Sequence, residues 1–129
     1  MTNLFRRIQP AERFHFSPRY IAHLLKIPLS AIVRIERWAY VLFVHRRDKG
    51  GQFVSYRQLN RWIRTIARMI QTSPTLEDLK QLGLWIKQEC VKFEERYKAI
   101  ALDYLRKLWA QRRDQLRSFP ESDGATGGA

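Results

Sequence analysis

Acidic residues are scarce in the first half of this chain: residues 1–73 hold only Glu12, Glu36 and Asp48 against fourteen Lys and Arg, a net of +11. Residues 74–117 hold seven acids against ten Lys and Arg, a net of +3, so most of the formal charge of +12 is carried early. This imbalance excludes a self-neutral surface there and points to a polyanionic partner. Cysteine is scarcer still. Cys90 is alone, which rules out an internal disulfide and fits a reducing, cytoplasmic compartment. Long apolar runs are missing too: the longest, Trp38 to Val44, falls far short of the ~20 residues of a membrane span. The opening Met-Thr-Asn-Leu-Phe-Arg-Arg has no signal-peptide core and no lipidation signal follows, so a soluble protein without a membrane partner is expected.

The residues of catalysis are also thin on the ground. His15, His23 and His45 lack metal-site spacing with any carboxylate or with Cys90, and no Ser, Cys or Lys stands in a nucleophile motif. Lys49-Gly50-Gly51-Gln52 lacks the second Gly and the Lys-Ser/Thr ending of a phosphate loop, and Glu94-Glu95 reads as solvated charge. The expectation is a non-enzymatic protein without metal or cofactor.

What is present is an arginine stripe. Arg57, Arg61, Arg64 and Arg68 recur at steps of four, three and four, which on a helix aligns them along about 16 Å. Leu59, Ile63, Ile66 and Ile70 fall on the opposite side with Trp62 at their margin, so one face can be buried while four guanidiniums meet phosphates. A solvated, idle arginine face is the plainer alternative. The proposed surface adds the end of the preceding segment and the Gly-Gly turn, giving Arg46, Arg47, Lys49, Arg57, Arg61, Arg64 and Arg68 as nucleic-acid contacts. Tyr56 and Phe53 beside them are candidates for stacking on an unpaired base, or else core residues.

The chain is 45% apolar with four tryptophans, enough for one domain. Ser17-Pro18 predicts a short helix to about Lys26, stopped by Pro28. Ser30 is placed to cap a second, mostly buried helix through Ile32, Ile35, Trp38, Leu42 and Phe43, ending in His45 and Arg46 before Gly50-Gly51. Gln52-Phe53-Val54 reads as an extended connector and Ser55 as the cap of the striped helix, which runs to about Gln71. Thr75 and Asp78 have capping-box spacing. Leu82, Ile86, Cys90, Phe93, Tyr97, Ile100, Tyr104 and Leu108 then form one long amphipathic seam, unbroken or bent near Gly83. The expected fold is therefore all-α, a single-domain bundle of four to five helices with a long C-terminal helix. Residues 1–16 form an N-terminal arm, 17–118 the helical domain and 119–129 a disordered tail.

The stretch from Ile21 to Ile35 has the apolar rhythm of a helix-turn-helix, although Lys26 stands where a turn glycine is usual and the second helix continues into residues that want burial. Arg34 and Arg37 would read bases in that arrangement; an ordinary pair of packed helices is the alternative.

Trp38-Ala39-Tyr40-Val41-Leu42, followed by Phe53-Val54-Ser55-Tyr56-Arg57-Gln58-Leu59-Asn60-Arg61, resembles the central segment of the HetP family of cyanobacterial heterocyst-differentiation regulators, through Trp38, Ala39, Val41, Leu42, Tyr56, Arg57, Asn60 and Arg61. The family's aromatic, proline-containing loop is replaced here by the basic Gly-Gly loop. The resemblance implies a non-enzymatic regulator acting alongside a transcription factor. By architecture alone, small basic helical proteins also look like the small subunits of CRISPR effector complexes, which line a nucleic-acid channel. A third reading is a protein-interaction adaptor, in which the arginines meet an acidic partner and Phe93, Tyr97, Ile100 and Tyr104 dock another helix.

Overall fold

β-branched and aromatic side chains crowd the stretch from Ile32 to Ser55, and their preference for the pleated surface of a sheet prevails over the helical rhythm. In the computed structural model, which describes residues 1–118, this stretch forms a three-stranded antiparallel sheet of β1 (Ile32–Arg37), β2 (Val41–Arg46) and β3 (Gly50–Ser55) in the order β1-β2-β3. The protein is thus mixed α/β, and the expected all-α bundle is corrected. The error arose at one place. Ser30 does not cap a buried helix but lies in a 3-10 turn (Leu29–Ala31), and along β2 burial alternates strictly, with Leu42, Val44 and Arg46 facing inward.

The described residues divide into two compact units, residues 8–62 and residues 1–7 together with 63–118. The expected N-terminal arm is helical, with α1 (Asn3–Ile8) and α2 (Pro10–Arg13), and Leu4, Phe5, Ile8 and Phe14 in it are buried. The disordered tail expected over 119–129 lies outside the described residues. Among the described residues no helix is long and apolar enough to cross a membrane.

In the sheet-bearing unit, α3 (Pro18–Leu25) starts as expected: the Ser17 side chain accepts from the Tyr20 amide at 3.1 Å and Pro18 stands at the first helical position. Lys26 ends it in the left-handed conformation, φ 58°, the role a glycine more often takes. The helix-turn-helix reading fails at the next step, because β1 follows where a recognition helix is required. Gly50, at φ 78°, closes the three-residue turn between β2 and β3, so the Gly-Gly pair makes a hairpin and not a helix stop. The inner face of the sheet buries Leu42, Val44 and Val54, and Phe14 meets Tyr56 and Trp62 edge-on, both with ring centroids 6.4 Å apart.

Ser55 does form a capping box with Gln58, but around a 3-10 turn (Tyr56–Gln58), and the striped helix α4 (Asn60–Gln71) begins only afterwards. In the other unit Thr75 caps α5 (Leu76–Lys92) by accepting from the Asp78 amide at 3.1 Å. The long helix expected along the seam from Leu82 to Leu108 is broken at Phe93, and after a 3-10 turn (Glu94–Arg96) α6 (Ala99–Ser118) folds back along α5. The indole of Trp109 donates to the Leu79 carbonyl at 3.0 Å and lies against Gly83, which therefore provides room and not a bend. Folding back lets the two halves of the apolar seam cover each other, which a single helix of that length does not allow. The phase slips at the break: Leu105 and Leu108 are buried, while Ile100 is 78% exposed. Below the turn, Glu89 is wholly buried and accepts from Thr2 Oγ1 at 2.6 Å and from the Tyr97 hydroxyl.

Candidate nucleic-acid interface

The outer face of the sheet is built by register. Arg34, His45 and Gly51 lie in one row across the three strands, and Glu36, Phe43 and Phe53 in the next. Trp38 leaves the end of β1 and folds over this second row, stacking on Phe43 at 5.1 Å with an interplanar angle of 22°. Phe53 closes the group, 5.0 Å from Phe43 and 5.4 Å from Trp38 between centroids. Phe53 is 58% and Trp38 44% exposed, so this is an open aromatic platform and not a core. Exposed apolar clusters of this kind mark interaction sites on soluble proteins. Tyr40, 64% exposed in the turn beside Trp38, adds a further ring at the rim.

A carboxylate orients the platform. Glu36 accepts from the Trp38 indole N–H at 2.9 Å through Oε1, and through Oε2 pairs with Arg34 Nε at 3.1 Å and His45 Nε2 at 2.6 Å. The Trp38 hydrogen bond above all, then those of His45 and Arg34, holds the Glu36 carboxyl down at about 2. His45 in turn meets the Phe43 ring edge-on at 4.6 Å. The acid on this face is thereby engaged by its own neighbours.

The residues picked out from the sequence divide sharply. Arg47 and Lys49 are exposed in the β2–β3 turn, where Arg47 Nε donates to the Ser30 carbonyl at 3.0 Å. Arg46 points the other way. It is buried on the inner face, paired with Asp48 through Nε at 2.9 Å and Nη2 at 2.7 Å and hydrogen-bonded to Gln52, and each of that pair stabilises the other's charge. Arg61, Arg64 and Arg68 are exposed along α4 opposite the buried Trp62, Ile66 and Ile70, so Trp62 is central to the buried face and not marginal. Arg57 lies in the 3-10 turn before α4, half-buried, its guanidinium 5.3 Å from the Trp62 ring centroid, and the exposed stripe shortens to about 10 Å.

Of the two stacking candidates, Tyr56 is fully buried and its hydroxyl donates to the Trp38 carbonyl at 2.7 Å, whereas Phe53 presents a face to solvent. Burial also pushes the Tyr56 phenol up from its ordinary pKa. Trp38 and Phe43 were missed because the segment was read as a helix. The available signal was the β-branched and aromatic enrichment of Val41 to Val44, a run that is apolar without alternation. Arg37, a base-reading candidate, donates to the Phe14 and Ala11 carbonyls and covers the Phe16 ring at 4.6 Å.

In the helical unit, a groove of about 980 Å³ runs between α5 and α6 over Ile86, Leu102 and Leu105, with Lys80, Lys87 and Arg106 at its edge. Cys90 lines it; burial first, and then the neighbouring Glu89, push its thiol up to about 11, so it is a poor nucleophile at neutral pH. Among the described residues no group of three or more His, Cys, Asp or Glu could hold a metal ion. No protein-family model matches the chain, and neither does any curated protein sequence or solved structure.

Proposed function

We propose that this protein is a non-catalytic, cytoplasmic nucleic-acid-binding protein that works mainly through phosphate contacts. The observation that carries this reading is uncompensated charge in the sheet-bearing unit. Residues 8–62 hold ten Lys and Arg against three acids, and two of those acids, Glu36 and Asp48, are already engaged by cations of the same unit. Arg47 and Lys49 in the hairpin turn, and the exposed arginines of α4, are the groups that would neutralise phosphates and release counterions. The resemblance of residues 38–61 to the HetP family favours a regulatory role for that binding. The analogy to helical channel-lining subunits rested on an all-helical fold, and the sheet removes its basis.

Fluorescence anisotropy with single-stranded DNA, duplex DNA and RNA of equal length across a salt series tests the reading. Submicromolar binding that weakens steeply with salt is expected. A protein that binds no nucleic acid even at low salt would instead be an adaptor for an acidic partner, a reading favoured by the cation-edged groove between α5 and α6.

A further inference from the structure

We infer that the open sheet face of residues 8–62 is a base-stacking platform for single-stranded DNA, with unpaired bases on Trp38 and Phe53, which Phe43 supports from beneath, and backbone phosphates on Arg34, Arg47 and Lys49. This rests on the nucleic-acid reading and adds the strand type and the site. Three features of the face select that occupant. The platform is apolar, with Trp38 nearly parallel on Phe43 and the exposed Phe53 ring tilted by 52° from Phe43 beside it, so Trp38 and Phe53 can take the π-face of a base, which a duplex hides within its own stack and an unpaired strand offers freely. Its surroundings are cationic: the Arg34 side chain is 62% exposed in the row beside the rings, and the exposed Arg47 and Lys49 end the same hairpin. A purely apolar partner, or a purely acidic one, would match only one of these two properties.

The polar group within the platform argues for DNA over RNA. Glu36 is already the acceptor for Trp38, His45 and Arg34, so a ribose 2′-hydroxyl laid on these rings would lose water and gain little. The methyl group of thymine, by contrast, adds apolar contact with the platform. The rings are prepared for the ligand. Trp38 is fixed by its indole hydrogen bond to Glu36, and Phe43 is fixed between His45 and Trp38, so little freedom is lost on stacking.

The test uses the full chain, with a short oligothymidylate, the matched oligouridylate and a duplex of equal length. Phe53→Leu, at an exposed position that tolerates the change, is expected to weaken oligothymidylate binding about tenfold while leaving both the salt slope and duplex binding unchanged. In the parent protein the oligothymidylate should quench tryptophan emission, and Trp38→Phe should abolish that quenching. Binding that is salt-steep yet unaffected by Phe53→Leu, or tighter for the duplex or the oligouridylate, would overturn the platform and leave the phosphate reading standing. Absence of binding to all three nucleic acids would overturn both.

Discussion

The ring of Phe43 fills the space beside Gly51 in which any other residue would carry its Cβ. The two stand on neighbouring strands, and the missing side chain on β3 is what lets the ring lie down across the sheet and stack with Trp38. Gly51→Ala should therefore tilt Phe43 off the sheet and disorder the platform. The expected cost is about 1–3 kcal/mol of stability, read as a lower urea midpoint, together with loss of aromatic near-ultraviolet circular dichroism. An alanine variant with parental spectrum and midpoint would show that the ring is not confined as described.

Arg46 and Arg47 are adjacent in sequence and opposite in role. Arg46 is 8% exposed and clamped by Asp48, while Arg47 projects from the turn. Arg46→Gln should lower Tm by several degrees and leave nucleic-acid affinity unchanged when measured on folded protein. Replacing Arg61, Arg64 and Arg68 together by Gln should do the reverse: Tm is retained, and the slope of log affinity against log salt flattens by about 2 for a single strand. If the Arg46 variant alone lost affinity, the assignment of these two groups would have to be exchanged.

How far the sequence could be read depends on the element. Caps at Ser17 and Thr75 were legible because each needs only a local side-chain-to-amide bond. The exposure of Arg61, Arg64 and Arg68 was legible from helical spacing alone. The sheet was not. Ile32, Ile35 and Trp38, then Leu42, recur at helical steps of three and four, the run from Val41 to Val44 is apolar without alternation, and only the pairing of the three strands makes this segment a sheet. The same ambiguity hid the platform, since Trp38, Phe43 and Phe53 share a face only once the hairpin register is set. At Phe93 neither glycine nor proline marks the break, and the turn follows from α6 packing back on α5.

Glu89 is wholly buried and serves as acceptor for two side chains, Thr2 from the start of the chain and Tyr97 from just past the turn that follows α5. Glu89→Ala removes that acceptor from both donors and leaves a hole beside them, so a loss of about 3 kcal/mol is expected by urea denaturation. Tyr97→Phe should cost less, about 1–2 kcal/mol, because it deletes a single hydroxyl. Equal stabilities for the parent and both variants would mean that the carboxylate is not the organising acceptor of this core.

The Glu36 cluster makes the platform acid-resistant. Its carboxyl is lowered from 4.5 to about 2, first by the Trp38 hydrogen bond and then by those of His45 and Arg34. A depressed acid contributes stability that is fully present above its unfolded value and is lost as pH falls through its folded value. The contribution should therefore hold from neutrality to about 4.5, decline below that and be gone once the solution passes about 2. The Trp38 indole N–H resonance reports this directly: it should stay in place from pH 7 to pH 4 and move with a midpoint near 2. Glu36→Gln should make the same resonance insensitive to acid, since the amide oxygen accepts but does not titrate. A midpoint near 4.5 in the parent protein would mean that Glu36 behaves as an ordinary solvated carboxylate, and that Trp38 is held on the sheet by stacking on Phe43 alone.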